Sequence, residues 1–148
     1  MNSAITGSKY QATKNLDLAK VAKLLRADIA AAVKSGALVA GLACSVKISR
    51  YSQGQSMSVT ITAFPGQVWT DEFVGNADGC FFDGDRFTAE AIALLETLEG
   101  MRMAYVYDKS DISSDHFDKR FYGGVQFSTD VTIADRARTE ARLAAAAA

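Results

Sequence analysis

Apolar and polar residues alternate most regularly between residues 44 and 63, in the segment CSVKISRYSQGQSMSVTITA. With Gln53 and Gly54 as a two-residue turn, the pattern predicts a β-hairpin, because glycine supplies the positive φ that such turns need. In that register Val46 pairs with Ile61. The apolar residues then share one face and most of the polar residues share the other, whereas a one-residue slip would mix the two faces.

Two segments carry apolar residues at three- and four-residue steps, which is the period of an amphipathic helix. The first spans residues 16–34, and either Asn15 or Asp17 can cap its N-terminus. The second spans residues 88–104, and Thr88 can cap it in the same way. We expect each helix to bury its apolar stripe against the hairpin.

A further strand is predicted near residues 121–131, where Phe121, Val125 and Phe127 can share one face. Residues 67–74 are either a short strand or an irregular lid. The predicted fold class is therefore α+β. It consists of an antiparallel sheet, made of hairpin 43–63 and the strand near 121–131, which helices 16–34 and 88–104 cover on one face.

The length of 148 residues suggests one domain, since domains commonly hold about 100–200 residues. We place that domain at residues 15–132 and expect the mostly polar residues 1–14 to be a loose lead. Residues 133–148 are rich in Ala and Arg and offer almost no apolar face. They are either a frayed tail or a helix that lies on a partner, and we expect the tail.

Charge is unevenly distributed, although the net charge is only −1. Residues 1–50 hold eight Lys and Arg against two Asp and Glu, whereas residues 51–100 hold one against eight. These regions could neutralise each other in the fold, or they could form separate faces for an anion and for a basic partner.

Candidate catalytic chemistry is sparse. His116, the only histidine, lies between Asp115 and Asp118 and could act as a base or bind a metal. No nucleophile with a recognisable spacing accompanies it, so a polar loop is the better interpretation. We expect no enzymatic activity; a hydrolase built on these three residues is the weakest hypothesis.

The segment GNADGCFFDGD, residues 75–85, suggests a calcium loop at first sight. Its aspartates are five and two residues apart, which does not match the alternating ligands of a calcium hand. Cys44 and Cys80 are isolated in sequence. We therefore expect no metal and no cofactor. With neither a signal peptide nor an apolar run of about 20 residues, we expect a cytoplasmic protein that does not enter the membrane.

The helix and hairpin segments also carry a family motif. LAKVAKLLRADIAAAV, followed by SVKISRYSQGQSMSVTI, resembles the large polyvalent-protein-associated domains of phage and conjugative elements. The resemblance covers residues 10–62 and, more loosely, 105–127. The matching positions are Ala22, Lys23, Leu24, Leu25, Arg26, Ser45, Val46, Lys47, Tyr51, Ser52, Gly54, Ser56, Met57 and Val59.

The chain departs from this family in two places. The linker from Ser35 to Leu42 lacks the usual Pro-Gly turn, and Trp69-Thr70-Asp71 keeps only half of the motif that follows the second strand. The resemblance implies a small protein of a mobile element, working in the cytoplasm of a bacterial host. It implies an inhibitor of a defence system, of the anti-CRISPR or antirestriction type, that binds a defence protein or nuclease complex without catalysis.

Two sets of residues are candidates for contact with a partner. Protein interfaces favour aromatic anchors, and a basic nuclease groove favours carboxylates. The protein-binding set is therefore Trp69, Asp71, Glu72, Phe73, Asp78, Phe81, Phe82, Asp83 and Asp85. The alternative is an accessory domain that binds DNA or RNA through phosphate contacts and base stacking. Its set is Lys20, Lys23, Arg26, Lys47, Arg50 and Tyr51.

Overall fold

The computed structural model of the chain describes residues 5–76, 79, 83–110 and 119–147. In chain order the elements are β1 (Ile5–Thr6), α1 (Tyr10–Thr13), α2 (Leu18–Ser35), β2 (Ala43–Tyr51), β3 (Gly54–Ala63), α3 (Asp71–Gly75), α4 (Asp83–Arg86), α5 (Ala89–Met103), β4 (Tyr107–Asp108), β5 (Val125–Phe127) and α6 (Thr129–Ala147). β2, β3 and β5 form the main sheet, and β1 pairs with β4. The predicted α+β class is confirmed.

The hairpin forms with the predicted faces but in a different register. β2 and β3 pair antiparallel, with Val46 opposite Val59 and not opposite Ile61. The turn is Ser52-Gln53, so the pairs formed by residues 44–51 are displaced by two residues from the prediction, and the register shifts between Ala43 and Cys44. Because side chains in a strand alternate with a period of two, this displacement leaves the apolar face intact.

Gly54 begins β3 instead of completing the turn, and a neighbouring ring accounts for the glycine. A Cβ on Gly54 would lie only 3.3 Å from Cε2 of Tyr122. Tyr122 belongs to the segment that pairs with β3 on the side away from β2, since it bridges Ser56. The glycine thus leaves room for the Tyr122 ring at the start of β3.

β5 pairs with β3 in parallel, with Val125 opposite Val59 and Phe127 opposite Ile61. The antiparallel prediction holds for the hairpin and is wrong for this third strand. The connection from β3 to β5 contains α5, and a helical crossover is the usual way for a chain to return in the same direction. The predicted shared face is confirmed, because Phe121, Val125 and Phe127 all contact the core.

Both long predicted helices form with the predicted caps. The Asp17 carboxylate accepts a hydrogen bond from Ala19 N at 3.1 Å, and Gly36, whose φ is 86°, is the C-cap that follows Ser35. Thr88 Oγ1 accepts from Ala91 N at 3.2 Å at the start of α5. The core lies between these helices and the apolar face of the sheet; it includes Leu18, Val21, Leu25, Val46, Met57, Val59, Ile61, Leu94, Leu98 and Phe121.

The lead is ordered from Ile5 onward, so the prediction of a loose segment is wrong there. β1 pairs antiparallel with β4. Arg120 links α1 to the rest of the domain, because it donates to the backbone oxygens of Thr13 and Tyr105 and lies over the Tyr10 ring. The burial that these contacts impose lowers the pKa of Arg120. Charged hydrogen bonds of this kind are stronger than neutral ones.

The Ala- and Arg-rich end of the chain is a helix that packs on its own domain. α6 contacts α3 and β3, and it buries Asp135 and Thr139. The expectation of a frayed tail is therefore wrong through Ala147, the last residue described. Neither α6 nor any other helix in the described ranges is long and apolar enough to cross a bilayer.

The thiol of Cys44 supports one prediction. Burial on the apolar side of the hairpin raises the pKa of Cys44 to about 11, above the value of about 8.5 for an exposed thiol. In a Cys80→Ser variant, iodoacetamide should therefore label the folded protein slowly at pH 8, and much faster in urea at the same pH. Equal rates in the two states would contradict the burial.

The raised pKa of Cys44 also determines how stability changes with pH. Between about pH 8.5 and 11 the folded state holds the Cys44 proton more tightly than the unfolded state. The thiol's contribution to stability is thus present below pH 8.5 and is lost as the pH rises through 11.

Candidate protein-binding surface

Five aromatic side chains form a continuous row, here called the Trp69 cluster: Phe73, Trp69, Phe87, Phe127 and Phe64. The rings of Trp69 and Phe87 stack with centroids 4.9 Å apart, and the Trp69 and Phe73 centroids are 5.1 Å apart. All five side chains are only partly buried. The row connects α3 at one end with β5 and the end of β3 at the other.

The backbone that carries Trp69 is held by hydrogen bonds outside the main sheet. Trp69 bridges Phe87 in antiparallel fashion. Thr70 N donates to Arg86 O at 2.8 Å, and Thr88 N donates to Val68 O at 2.9 Å. The predicted alternatives for residues 67–74 were a strand and a lid. The segment instead makes a single bridge and then continues into α3.

A buried carboxylate from α6 completes this support. Asp135 is 2% exposed, and its oxygens accept from Val68 N at 2.9 Å and Trp69 N at 3.1 Å. The guanidinium of Arg138 lies 3.6 Å away and provides a counter-charge. Sequence reasoning missed Asp135, because a carboxylate among Arg and Ala residues in a presumed tail resembles any solvated charge.

The acidic edge of the surface is the first turn of α3. Thr70 caps this helix by accepting from Phe73 N at 3.2 Å, and Asp71 and Glu72 follow it. Asp71 also accepts hydrogen bonds from Arg142 of α6 and from Gln67, and these bonds lower the pKa of Asp71. Glu72 is exposed and has no ion-pair partner in the described part of the chain.

The other predicted protein-binding residues divide into two groups. Asp83 and Asp85 lie in α4, where Asp85 is exposed. Asp78, Phe81 and Phe82 lie outside the described residues.

Two cations flank the ring of Phe73. The guanidinium carbons of Arg86 and Arg136 are each 5.5 Å from its centroid. Cation–π contacts of this length attract, so they fix the end of the cluster nearest α3.

A cleft of about 260 Å³ opens beside the cluster. Its lining is mainly apolar and includes Trp69, Phe87, Leu95, Val125, Phe127 and Thr132. Sequence reasoning selected only Trp69 of these as a contact residue. Phe87 lies between α4 and α5, and the other lining residues come from α5, β5 and α6, so only the tertiary fold brings them together.

The basic set does not form one surface. Lys20 and Lys23 are exposed on α2, which covers the apolar face of the hairpin, whereas Lys47 and Tyr51 alternate onto the opposite face. Tyr51 is 49% exposed and donates to Gln55 O at 3.4 Å.

The two arginines of that set make internal contacts. Arg26 donates to Val46 O at 2.7 Å, and Arg50 forms an ion pair with Asp17 at 2.9 Å. Each therefore links α2 to the hairpin, and contact with phosphate would compete with that role.

The candidate catalytic residues lie outside the described part of the chain. His116, Asp115 and Asp118 are not among the described residues, so the hydrolase hypothesis stays a prediction. Within the described ranges, no three His, Cys, Asp or Glu side chains are grouped as a metal site would require.

Comparison with known proteins adds no further assignment, since no family model, no curated protein and no solved structure matches the chain.

Proposed function

We propose that the protein acts by binding another protein through the Trp69 cluster and the acidic first turn of α3. The observation that carries this proposal is a row of five partly exposed rings beside a mainly apolar cleft of about 260 Å³. Aromatic side chains dominate the energetic centres of protein interfaces, and isolated soluble domains rarely leave several of them accessible together.

The electrostatics favour a basic partner. Glu72 and Asp85 are exposed near the cluster, and neither has an ion-pair partner among the described residues. A rim of carboxylates around an apolar centre attracts a positively charged surface and increases the rate of encounter. A nuclease that holds nucleic acid presents such a surface.

The sequence resemblance to polyvalent-protein-associated domains supports a narrower proposal, in which this protein inhibits a bacterial defence system by occluding its nuclease or effector. The mechanism is non-enzymatic: the bound protein covers a surface that the defence protein needs. The DNA- or RNA-binding alternative has less support, because its lysines lie on different faces and its arginines make internal contacts.

The test is capture from a bacterial lysate, paired with phage plating on cells that express the protein. We expect a defence component to be retained and plating to rise. A Glu72→Lys, Asp85→Lys double variant should reduce retention about tenfold, since two rim charges are reversed. The matched control is Ala31→Lys, which adds a positive charge at an exposed position on α2.

Three outcomes would count against the proposal: no retained defence component, unchanged plating, or equal retention of the double variant. A gel shift with nucleic acid that weakens steeply as salt is added would favour the alternative instead.

A further inference from the structure

Within the described residues, the sheet has an open edge at β5, next to the cleft. The strand order β2-β3-β5 gives β5 one neighbour in that part of the chain, which is β3. Val59 N donates to Gly124 O and Ser128 N donates to Ile61 O, both at 2.9 Å. Because successive residues of a strand direct their backbone groups to opposite sides, the N–H and C=O of Val125 and Phe127 point away from β3. No backbone partner for them occurs in the described part of the chain.

An apolar groove follows the same edge. The cleft beside the Trp69 cluster shares Leu95 and Val125 with a second cleft of about 400 Å³. Glu96 and Glu99 of α5 form the rim of that second cleft. Glu99 is paired with Arg102, whereas Glu96 is exposed and has no ion-pair partner among the residues described. An unpaired strand edge, an apolar groove and an acidic rim therefore lie side by side.

We propose that the partner docks as an extended strand on the free edge of β5. Its backbone would bond Val125 and Phe127, and its alternate apolar side chains would enter the groove between α5 and the Trp69 cluster. A Lys or Arg of the same strand would face Glu96. This inference rests on the proposed protein-binding function and specifies the form of the partner. Strand addition at a sheet edge is a common mode of peptide recognition, in which the backbone gives affinity and the groove gives specificity.

Charge decides between the occupants of this edge. A second copy of the chain, paired through its own β5, would bring its own exposed Glu96 to the same interface, and like charges there oppose association. Nucleic acid is disfavoured by the same carboxylates. A strand with basic residues between apolar ones complements both the groove and its rim.

The experiment uses an acetylated, amidated heptapeptide of sequence Lys-Val-Arg-Phe-Lys-Val-Lys as the probe. Trp69 is the only tryptophan of the chain and lines the groove, so its fluorescence reports occupancy directly. We expect a saturable change of its emission on titration. Hydrogen exchange followed by NMR should slow by about tenfold or more at the amides of Val125 and Phe127. The amide of Gln126 should change little, since that residue faces β3.

Matched controls isolate each part of the interaction. N-methylation of alternate residues removes the backbone N–H donors from one edge of the peptide strand. Of the two possible patterns, the one that methylates the edge facing β5 should abolish binding, and the other should preserve it. A peptide with Glu in place of every Lys and Arg should not bind. Glu96→Lys should weaken binding about fivefold, as expected for one reversed rim charge, whereas Ala31→Lys, at an exposed position on α2, should leave it unchanged.

Several results would overturn strand docking: no change in Trp69 emission at millimolar peptide, binding without protection of Val125 and Phe127, or equal tolerance of both methylation patterns. Protection that appears without peptide and rises with protein concentration would identify a second copy as the occupant. If lysate capture depends on Glu72 and Asp85 but not on Glu96, and the peptide does not compete, the protein-binding function stands and only the strand proposal fails.

Discussion

Gly123→Ala should destabilise the fold by about 3 kcal/mol or more, through backbone conformation and a direct clash. Gly123 has a φ of 132°, a region that residues with a side chain rarely adopt. A Cβ there would lie 2.2 Å from the backbone oxygen of Met57, a distance that no side chain can tolerate. Met57 is itself fully buried in β3, so the clash cannot be relieved by a small movement of a surface group.

Urea denaturation of the variant measures this effect, with Gly124→Ala as the matched control. Apart from its two neighbours in sequence, no described residue has an atom within 4 Å of a Cβ built on Gly124, so this substitution should change stability by less than about 1 kcal/mol. Similar losses of stability for both variants would contradict a close approach of Gly123 to Met57 of β3.

Asp135→Ala should cost about 3 kcal/mol, because it leaves two backbone N–H groups without their acceptor. The bond to Val68 N is buried, so losing it leaves an unsatisfied buried donor, whereas the bond to Trp69 N is part-buried. The substitution should also release the segment that carries Trp69. We therefore expect a red shift of the Trp69 emission in the folded protein, together with a lower urea midpoint.

Glu140→Ala is the control on the same helix, since Glu140 is exposed and forms an ion pair with Arg136 one turn away. It should change stability by less than about 0.5 kcal/mol. If Asp135→Ala behaved like this control, the carboxylate would not be what fixes the Trp69 segment. Asp135→Asn would then separate shape from charge, because an amide can accept only one of the two bonds.

The helices were predictable because local rules decide them. Asp17 and Thr88 precede apolar stripes, and capping needs only neighbours in sequence. The faces of the hairpin were predictable for a similar reason, since successive residues along a strand point to alternate faces of the sheet. The register of the hairpin was not predictable, because a glycine can either form part of a turn or allow another side chain to pack closely against the backbone. At Gly54 the deciding neighbour is Tyr122, far away in the chain.

Strand direction and the candidate site show the same limit. The alternation of side chains around Val125 is the same in parallel and antiparallel pairing. Only the crossover through α5 decides between the two directions. Trp69 and Phe73 could be selected by composition. Asp135 could not be selected from the sequence. Its role depends on the backbone N–H groups of Val68 and Trp69, which are far from it along the chain.

The parallel pairing of β5 also has a consequence for the order in which the fold forms. β2 and β3 are adjacent in sequence, whereas Val59 and Val125 lie 66 positions apart. Long-range closure costs more chain entropy than local closure, so we expect the hairpin to form early and β5 to join late. A nascent chain released before β5 would display the hairpin without the groove. The surface proposed for partner binding would thus appear only once synthesis has passed β5.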